Sequence, residues 1–397
     1  LIKVLKFGGE VLRTTIRIKL AAKEVEKYIK KGVHPVIVVS AMGDTTDKLI
    51  ELAKKISRNP DIREMDMLLT AGERISMALF SMALRERNIM SRSLTGSQAG
   101  ILTDTRHSSA HIIEIRGRRI LEIIKRGEVP IIAGFQGVST EKEVTTLGRG
   151  GSDLTAAAIA VFLKAKEVIF YKDVDGIYSL PPRVIRKSKK IKELSFEEML
   201  FLSEYGAEVL NPRAVAIGMK YGLKFYIKTL KKEDFTVIKK EAIEAPYVKA
   251  ITLKKGIALL VLEKVKENFD IPQTAKFLNE NNINVLFFMH GIRDEKGVDL
   301  SFAIESKNIN KKILTKIEKL YRPYKIKLMK KLGALTVVGY GIGDSPEILG
   351  ESMKELETKG IHIYAIFSSK PGIIFVLKEE DLLRSLKILS RKWKLTS

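Results

Sequence analysis

The run Gly148-Arg149-Gly150-Gly151-Ser152-Asp153 places three glycines, an arginine, a hydroxyl and a carboxylate in six residues, and the chain turns helix-forming directly after it, from Leu154 to Leu163. Glycines that open a helix let backbone N–H groups approach an anion closely. An arginine in such a loop can grip a carboxylate or phosphate through two parallel hydrogen bonds. Asp153, in the first helical turn, is placed to orient cations or a metal. The chemistry implied is the handling of an acidic substrate beside phosphate. A serine N-cap on an ordinary strand-to-helix loop would explain Ser152 and one glycine, but not Arg149 and Asp153 bracketing Gly150 and Gly151.

Three other loops and one helical segment carry related residue types. Lys6-Phe7-Gly8-Gly9 ends the apolar run IKVLKF; its glycines admit a phosphate to the backbone, and Lys6 can neutralise the charge. Ser40 to Asp47 (SAMGDTTD) follows PVIVVS and offers hydroxyls for a substrate carboxylate, or caps for a helix from about residue 46. Glu73, beside Gly72 in a helical pattern, can recognise an ammonium group or can simply be solvated. Lys172 to Tyr178 (KDVDGIY) is an Asp-rich turn able to bind ribose or purine donors, with an aromatic face on Tyr178. Its plain alternative is a β-turn.

These loops need a frame that gathers them at one edge. Strand patterns at 2–7, 35–40, 91–96, 129–135 and 167–173 alternate with helical patterns at about 16–31, 46–57, 64–87, 110–126 and 152–163. That alternation predicts an α/β fold, a mainly parallel-sheet α/β/α sandwich. Ligands in such sheets bind at the carboxyl ends of the strands, which is where the glycines fall. Beyond about residue 240 the pattern changes. ALLVLEKV, a helix at 271–281, NINVLFFMH, VDLSFAIE and a helix at 308–320 form one β-α-β-β-α unit. ALTVVGYG, a helix at 345–359, IHIYAIFS, GIIFVLK and a helix at 379–392 form a second. The internal repeat predicts two small α+β sandwiches. An extra strand, YVKAITLK (247–254), precedes the first unit and can complete the second.

At 397 residues the chain is expected to hold two or three domains. It contains no cysteine, so disulfides, thiolate metal sites and cysteine nucleophiles are excluded, which suits a cytoplasmic and heat-adapted protein. No apolar run approaches the ~20 residues of a membrane helix, and LIKVLKFGG is too short for a signal peptide. The net charge of +23 raises the question of nucleic acid. The lysines, however, are spread along the chain and no nucleic-acid-binding motif accompanies them. A solvated lysine-rich surface is expected, with no nucleic-acid and no membrane partner.

From Lys6 to about Arg213 the chain resembles the aspartate kinases of the amino-acid kinase superfamily. The runs that carry the resemblance are KFGG, VVSAMGDTTDKL, LLTAGER, GSQAGILTD, GFQGV, TTLGRGGSDLTAA, DVDGIY, PPRVI and LSFEEMLFLSEYGAEVLNPRAV. The paired C-terminal repeats look like the two ferredoxin-like ACT domains of that family. The resemblance implies a kinase domain over 1–245, a first ACT domain over 257–322, and a second, interleaved one over 246–256 and 323–397. It implies phosphoryl transfer from ATP with Mg2+ to the β-carboxylate of L-aspartate, giving 4-phospho-L-aspartate. Lys6, Gly8 and Gly9 would hold the transferred phosphoryl group, and Asp153 would organise the charged groups. Arg149 would take the α-carboxylate of aspartate, with Ser40, Thr46, Glu73, Phe135 and Ser152 completing the pocket. Lys172, Asp173, Tyr178 and Arg183 occupy nucleotide-site positions, and no residue is assigned as a direct metal ligand.

Against the family pattern, Glu10 replaces Ser or Thr, Lys172 replaces Thr, Pro181 replaces Asp, Glu208 replaces Lys, and Asn211 replaces His. In one reading Lys172 supplies the missing positive charge and pairs with Glu10 or Glu208. In the other the chain is a weakly active or inactive paralogue that senses amino acids. The second repeat keeps a glycine-rich turn (Gly339, Gly341, Gly343), whereas the first has none and retains Asp270 and Pro272. A lysine or threonine effector and a dimerisation-only role for the repeats both stay open. Assembly as a homodimer or higher through the repeats is expected.

Overall fold

The fold is taken from a computed structural model, which describes residues 1–207, 209–240, 247–266, 271–281, 283–291, 297–322 and 324–396. They form two compact units: Leu1–Tyr178 with Lys190–Glu204 and Glu208–Ile243, and Ser179–Lys189 with Tyr205–Ala207 and Glu244–Ser397.

The first unit is built on an eight-stranded sheet. Its order is Glu193–Ser195, Phe235–Lys239, Lys224–Lys228, Glu167–Tyr171, Ile2–Phe7, His34–Val39, Val129–Ala133, Ser91–Leu94. Every neighbouring pair is parallel except Lys224–Lys228 with Phe235–Lys239. Strands covered on both faces read as unbroken apolar runs. Val36 to Val39 and Ile131 to Ala133 are all fully buried. The helix Gly151–Phe162 can lie deep in the unit because its residues are small and apolar; Gly151 through Ala160 are all buried.

Three features differ from the sequence reading. The helix expected over 64–87 is two, Ile62–Leu69 and Ala71–Arg85, meeting at Thr70. The helix expected over 110–126 is a strand, Ile112–Ile115, followed by a helix, Arg118–Lys125. Three of the four strand residues are isoleucines, which favour extended backbone. Gly117 separates the two elements, and a Cβ there would lie 2.1 Å from the Phe162 ring. The third feature was not expected. Ile112–Ile115, Ile101–Thr103, Gln136–Ser139 and Val144–Thr146 form a separate four-stranded sheet. Among the described residues, Ile62–Arg85 is also the one helical stretch long and apolar enough to cross a bilayer. It carries the buried carboxylates Asp66 and Glu73.

The second unit holds a six-stranded sheet, antiparallel throughout, in the order Val285–His290, Val298–Glu305, Ala250–Val265, Lys325–Val338, Gly372–Lys378, Ala365–Ser369. The two central strands are long because each serves both repeats. Ala250–Lys254 pairs with Ala334–Val338, and Leu259–Glu263 pairs with Lys325–Met329. The register shifts between them, where Gly256 and Lys331 adopt positive φ. Each repeat has its own core. Ile251 packs with Leu335, Phe375 and Leu386, whereas Leu260 packs with Phe302 and Ile317. The excursion 179–189 joins the first of these cores through Leu180, and the Ser179 carbonyl accepts from Ile251 N at 2.8 Å.

In an exposed helix, replacing glycine by alanine gains roughly 1 kcal/mol. Gly218, in the helix Pro212–Tyr221, should behave oppositely, because a Cβ there would lie 2.4 Å from the Phe196 ring and 2.6 Å from that of Phe225. Those rings already meet edge to face at 5.1 Å. Gly218→Ala is expected to destabilise by about 1–3 kcal/mol, read as a lower urea midpoint with an unchanged slope.

Candidate active site

Two neighbouring parallel strands deliver the central charges. In the register of Ile2–Phe7 against Glu167–Tyr171, Phe7 lies opposite Tyr171. Lys6 therefore precedes, and Lys172 follows, one level of the sheet edge. Between them comes Asp153 from the first turn of the helix Gly151–Phe162. Lys6 Nζ lies 2.7 Å from Asp153 Oδ1. Lys172 Nζ donates to Oδ1 at 3.0 Å and to Oδ2 at 2.8 Å. The Asn211 backbone N–H reaches Oδ2 at 3.3 Å. Lys6 and Asp153 are all but inaccessible to solvent. Burial pushes the Lys6 ammonium down to about 8, against the pull of Asp153 and with the help of neighbouring Lys172. Burial also works against the charge of Asp153, but Lys172 and Lys6 outweigh it and hold the carboxyl below its ordinary value.

The glycine loop is shaped by its neighbours. Gly150, at φ +70°, forms the N-cap of the helix, so Ser152 sits in the first turn and is not the cap. Asn211 caps the helix Pro212–Tyr221 through Arg213 N and Ala214 N. Its Nδ2 donates to the Arg149 carbonyl at 2.7 Å. A side chain on Gly150 would press on Asn211 at 3.1 Å. Phe135 stands at φ +68°, a strained position for an aromatic residue. It is fixed there by Phe135 N to Thr155 Oγ1 at 3.1 Å and by Leu147 N to Phe135 O at 2.8 Å.

Glu73 is buried on the helix Ala71–Arg85. Its Oε1 accepts from Ala41 N at 3.1 Å, while its Oε2 is buried with no partner among the described residues. Burial raises its carboxyl to about 7, against the opposing backbone hydrogen bonds and Lys6. An orphaned carboxylate oxygen of this kind is open to a hydrogen-bond donor or a cationic ligand.

Lys6, Gly9, Ser40, Thr46, Glu73, Phe135, Arg149, Ser152, Asp153 and Lys172 all line one cavity of about 380 Å³. Gly8 lies immediately beneath it, and a Cβ there would approach Lys6 Nζ and Lys172 Cδ at 3.8 Å. Asp47, Ile50, Leu69, Ser108 and Thr146 also line it, and sequence reasoning did not single these out as site residues. Ser108 and Thr146 carried no signal of their own, since both depend on the unforeseen sheet. Three expected nucleotide-site residues lie outside this lining. Asp173 is exposed in the turn after Tyr171. Tyr178 donates to Asp175 at 2.6 Å, and Asp175 also pairs with Lys190 and Lys232, both at 2.8 Å. Arg183 is exposed in the excursion that groups with the second unit.

The expectation that Glu10 pairs with Lys172 is corrected. Glu10 accepts from Arg13 Nε at 2.9 Å and Nη2 at 2.7 Å, a bidentate pair three residues along the chain. That bond holds its carboxyl below the ordinary value. Glu208 and Asp270 lie outside the described residues.

Residues 2–229 match the model of the amino acid kinase family. The chain belongs to that family. Aspartokinase of Geobacillus stearothermophilus is 36% identical over 394 residues, covering 97% of this chain and 95% of its own length. Aspartokinase 2 of Bacillus subtilis is 34% identical over 398 residues, covering 99% and 98%. Within the family, the chain thus aligns end to end with aspartokinases. Escherichia coli aspartokinase III, solved with aspartate and ADP, has the same fold: TM-score 0.85 at 22% identity, over 98% of this chain and 99% of that one.

Proposed function

We propose that this family member transfers the γ-phosphoryl group of ATP to the β-carboxylate of L-aspartate, giving 4-phospho-L-aspartate, the first step towards lysine, threonine and methionine. The observation that carries the reading is the single cavity lined by Lys6, Asp153 and Lys172 as well as by Arg149 and Glu73. Such a cavity offers cationic groups for phosphate, a guanidinium for a carboxylate and a carboxylate for an ammonium. ATP brings the phosphate, and L-aspartate brings the carboxylate and the ammonium. The full-length likeness to aspartokinases supports the same choice.

In this reading Glu73 Oε2 receives the substrate ammonium, and Arg149 takes its α-carboxylate. Ser40, Thr46, Phe135 and Ser152 close the pocket and turn the β-carboxylate towards Lys6. The acceptor is ionised at neutral pH, so no general base is needed. Lys6 and Lys172 stabilise negative charge as the new O–P bond forms and the bond to the leaving ADP breaks. Asp153 keeps the two ammonium groups in register, so positioning and charge supply most of the rate. The donor set also bears on Mg2+. Both Asp153 oxygens are already taken by ammonium groups, and among the described residues no cluster of three acidic or histidine side chains could hold a metal. Mg2+ therefore fits best as a passenger on the phosphates, where it would neutralise their charge. Gly9 is placed at the phosphate by resemblance, and glycine is required there because a Cβ would lie 2.7 Å from the Ala41 carbonyl. Asp173 and Tyr178 are placed by resemblance towards the nucleoside, and Arg183 likewise. The second unit would carry lysine or threonine regulation and assembly as a homodimer or higher. A cytoplasmic setting accords with the absence of cysteine.

ADP release with ATP, Mg2+ and L-aspartate, against L-glutamate and no acceptor, tests the reading; activity with aspartate alone is expected. The kcat/KM for aspartate should rise with pH up to about 7, as Glu73 ionises, and fall above about 8, as Lys6 loses its proton. Glu73→Gln should abolish the acid limb, and a wild-type profile flat from pH 6 to 7 would refute the role given to Glu73. Lys172→Ala should lower turnover about a hundredfold and leave the aspartate KM within about threefold; unchanged turnover would sink its role at the phosphate. Lysine or threonine regulation requires that one of them lowers activity or shifts the melting temperature when titrated; no shift in either would leave the repeats with assembly alone.

A further inference from the structure

A second buried carboxylate stands outside this charge network. Asp66, on the helix Ile62–Leu69, has no solvent exposure. It accepts from four donors at three positions. Thr146 gives its backbone N–H at 3.1 Å and its hydroxyl at 2.6 Å. Ser108 gives its N–H at 3.1 Å and 3.0 Å to the two oxygens, and His107 approaches through Nδ1 at 2.8 Å. An ionised carboxylate only accepts, and every group around it can donate.

The three positions lie 41, 42 and 80 residues away along the chain, and two of them, Ser108 and Thr146, line the cavity. Thr146 ends the strand that runs into the glycine loop. Its carbonyl accepts from Ala110 N at 2.9 Å, which ties the 107–110 segment to the same strand. Ser108 is held at φ +66°, and its carbonyl abuts Gly148, where a Cβ would lie 3.4 Å away. Arg213 grips the far side, donating to Leu147 O at 3.0 Å and Ala110 O at 2.9 Å. The stretch that leads into Arg149 is therefore bounded by Ser108 on one flank and by Thr146 behind, and both are bonded to one carboxylate.

We propose that Asp66 is a positioning residue that sets the aspartate-side wall of the cavity, locking Ser108 and Thr146 and through them the approach of Arg149 to its substrate. This rests on the reading of the cavity as an aspartate site. Asp66 does not line the cavity and touches no reacting atom. It acts through its partners, so its loss should weaken the substrate whose wall it sets and spare the nucleotide.

Asp66→Asn turns one acceptor oxygen into a donor that faces other donors. The expected result is an aspartate KM raised roughly tenfold to a hundredfold, with the ATP KM within about twofold. Hydrogen exchange should quicken in peptides covering 104–111 and 144–153, and stay unchanged in the helix Thr15–Lys30. His107→Ala removes one donor at a residue outside the cavity lining and is the gentler variant, should Asp66→Asn not fold. It should move the aspartate KM the same way by roughly threefold. A purely structural role predicts a lower melting temperature and a smaller active fraction, with both KM values unmoved. That outcome, or the two KM values rising together, would overturn the proposal. Unaltered exchange in folded Asp66→Asn would refute the clamp itself, whereas a wild type that turns over no aspartate would refute the functional reading instead.

Discussion

The site depends on one carboxylate held between two ammonium groups. Asp153 is buried, and an unpaired buried charge is expensive. Lys6 and Lys172 remove that expense and leave the trio with one positive charge in excess. In the function proposed above, that excess is what phosphate needs. Its geometry is set by the sheet: the two lysines leave adjacent parallel strands at the level where Phe7 faces Tyr171. Those rings stack at 4.7 Å and are fully buried. A slip of one residue in that register would turn one of the two lysines to the wrong face. The core of the sheet and the charge pattern of the site are thus one constraint seen at two scales.

The substrate side follows a different logic. Thr46, Glu73 and Ser152 come from helices, but the rest of its groups come from loops, and loops must be held by hydrogen bonds to keep a shape. Phe135 and Ser108 both hold positive φ against their intrinsic preference, and each is fixed by a bond to a distant element. Asn211 ties the glycine loop to the helix that follows. Arg149 remains exposed at its end, free to adjust to a ligand while its backbone stays fixed. In the proposed function, this exposed guanidinium on a tied backbone is what meets the small carboxylate of the substrate.

What could be read in the sequence follows from how local each signal is. The glycine loops, the apolar strands and the C-terminal repeat are written in contiguous residues, and the reading of each needed no partner. Glu73 was visible as a candidate, but its orphaned oxygen was not, because that depends on Ala41, 32 residues away. The four-stranded sheet was missed because its strands are only three or four residues long, too short for a period to emerge. Asp66 was invisible for the same reason, since all its partners belong to that sheet and its loops. The long central strands of the second unit read as separate pieces because a bulge interrupts them at 254–257.

The substitutions at positions 10 and 172 are each accommodated by neighbouring groups. Glu10 looked like a repulsive charge at the phosphate loop. Its carboxylate instead turns back to Arg13, and its backbone carbonyl accepts from Arg17. The short helical turn Glu10–Leu12 makes this possible, by bringing residues three apart onto one side. Lys172, by contrast, points into the cavity and binds both oxygens of Asp153. A threonine at this position could donate only one hydrogen bond and would bring no charge. The lysine therefore adds one positive charge at the carboxylate that already organises Lys6. A charge gained at position 172 can offset one lost at 208 only if the phosphates lie between Lys6 and Lys172. Lys6, Gly9 and Lys172 line one cavity, which supports the proposed place of phosphate between the two lysines.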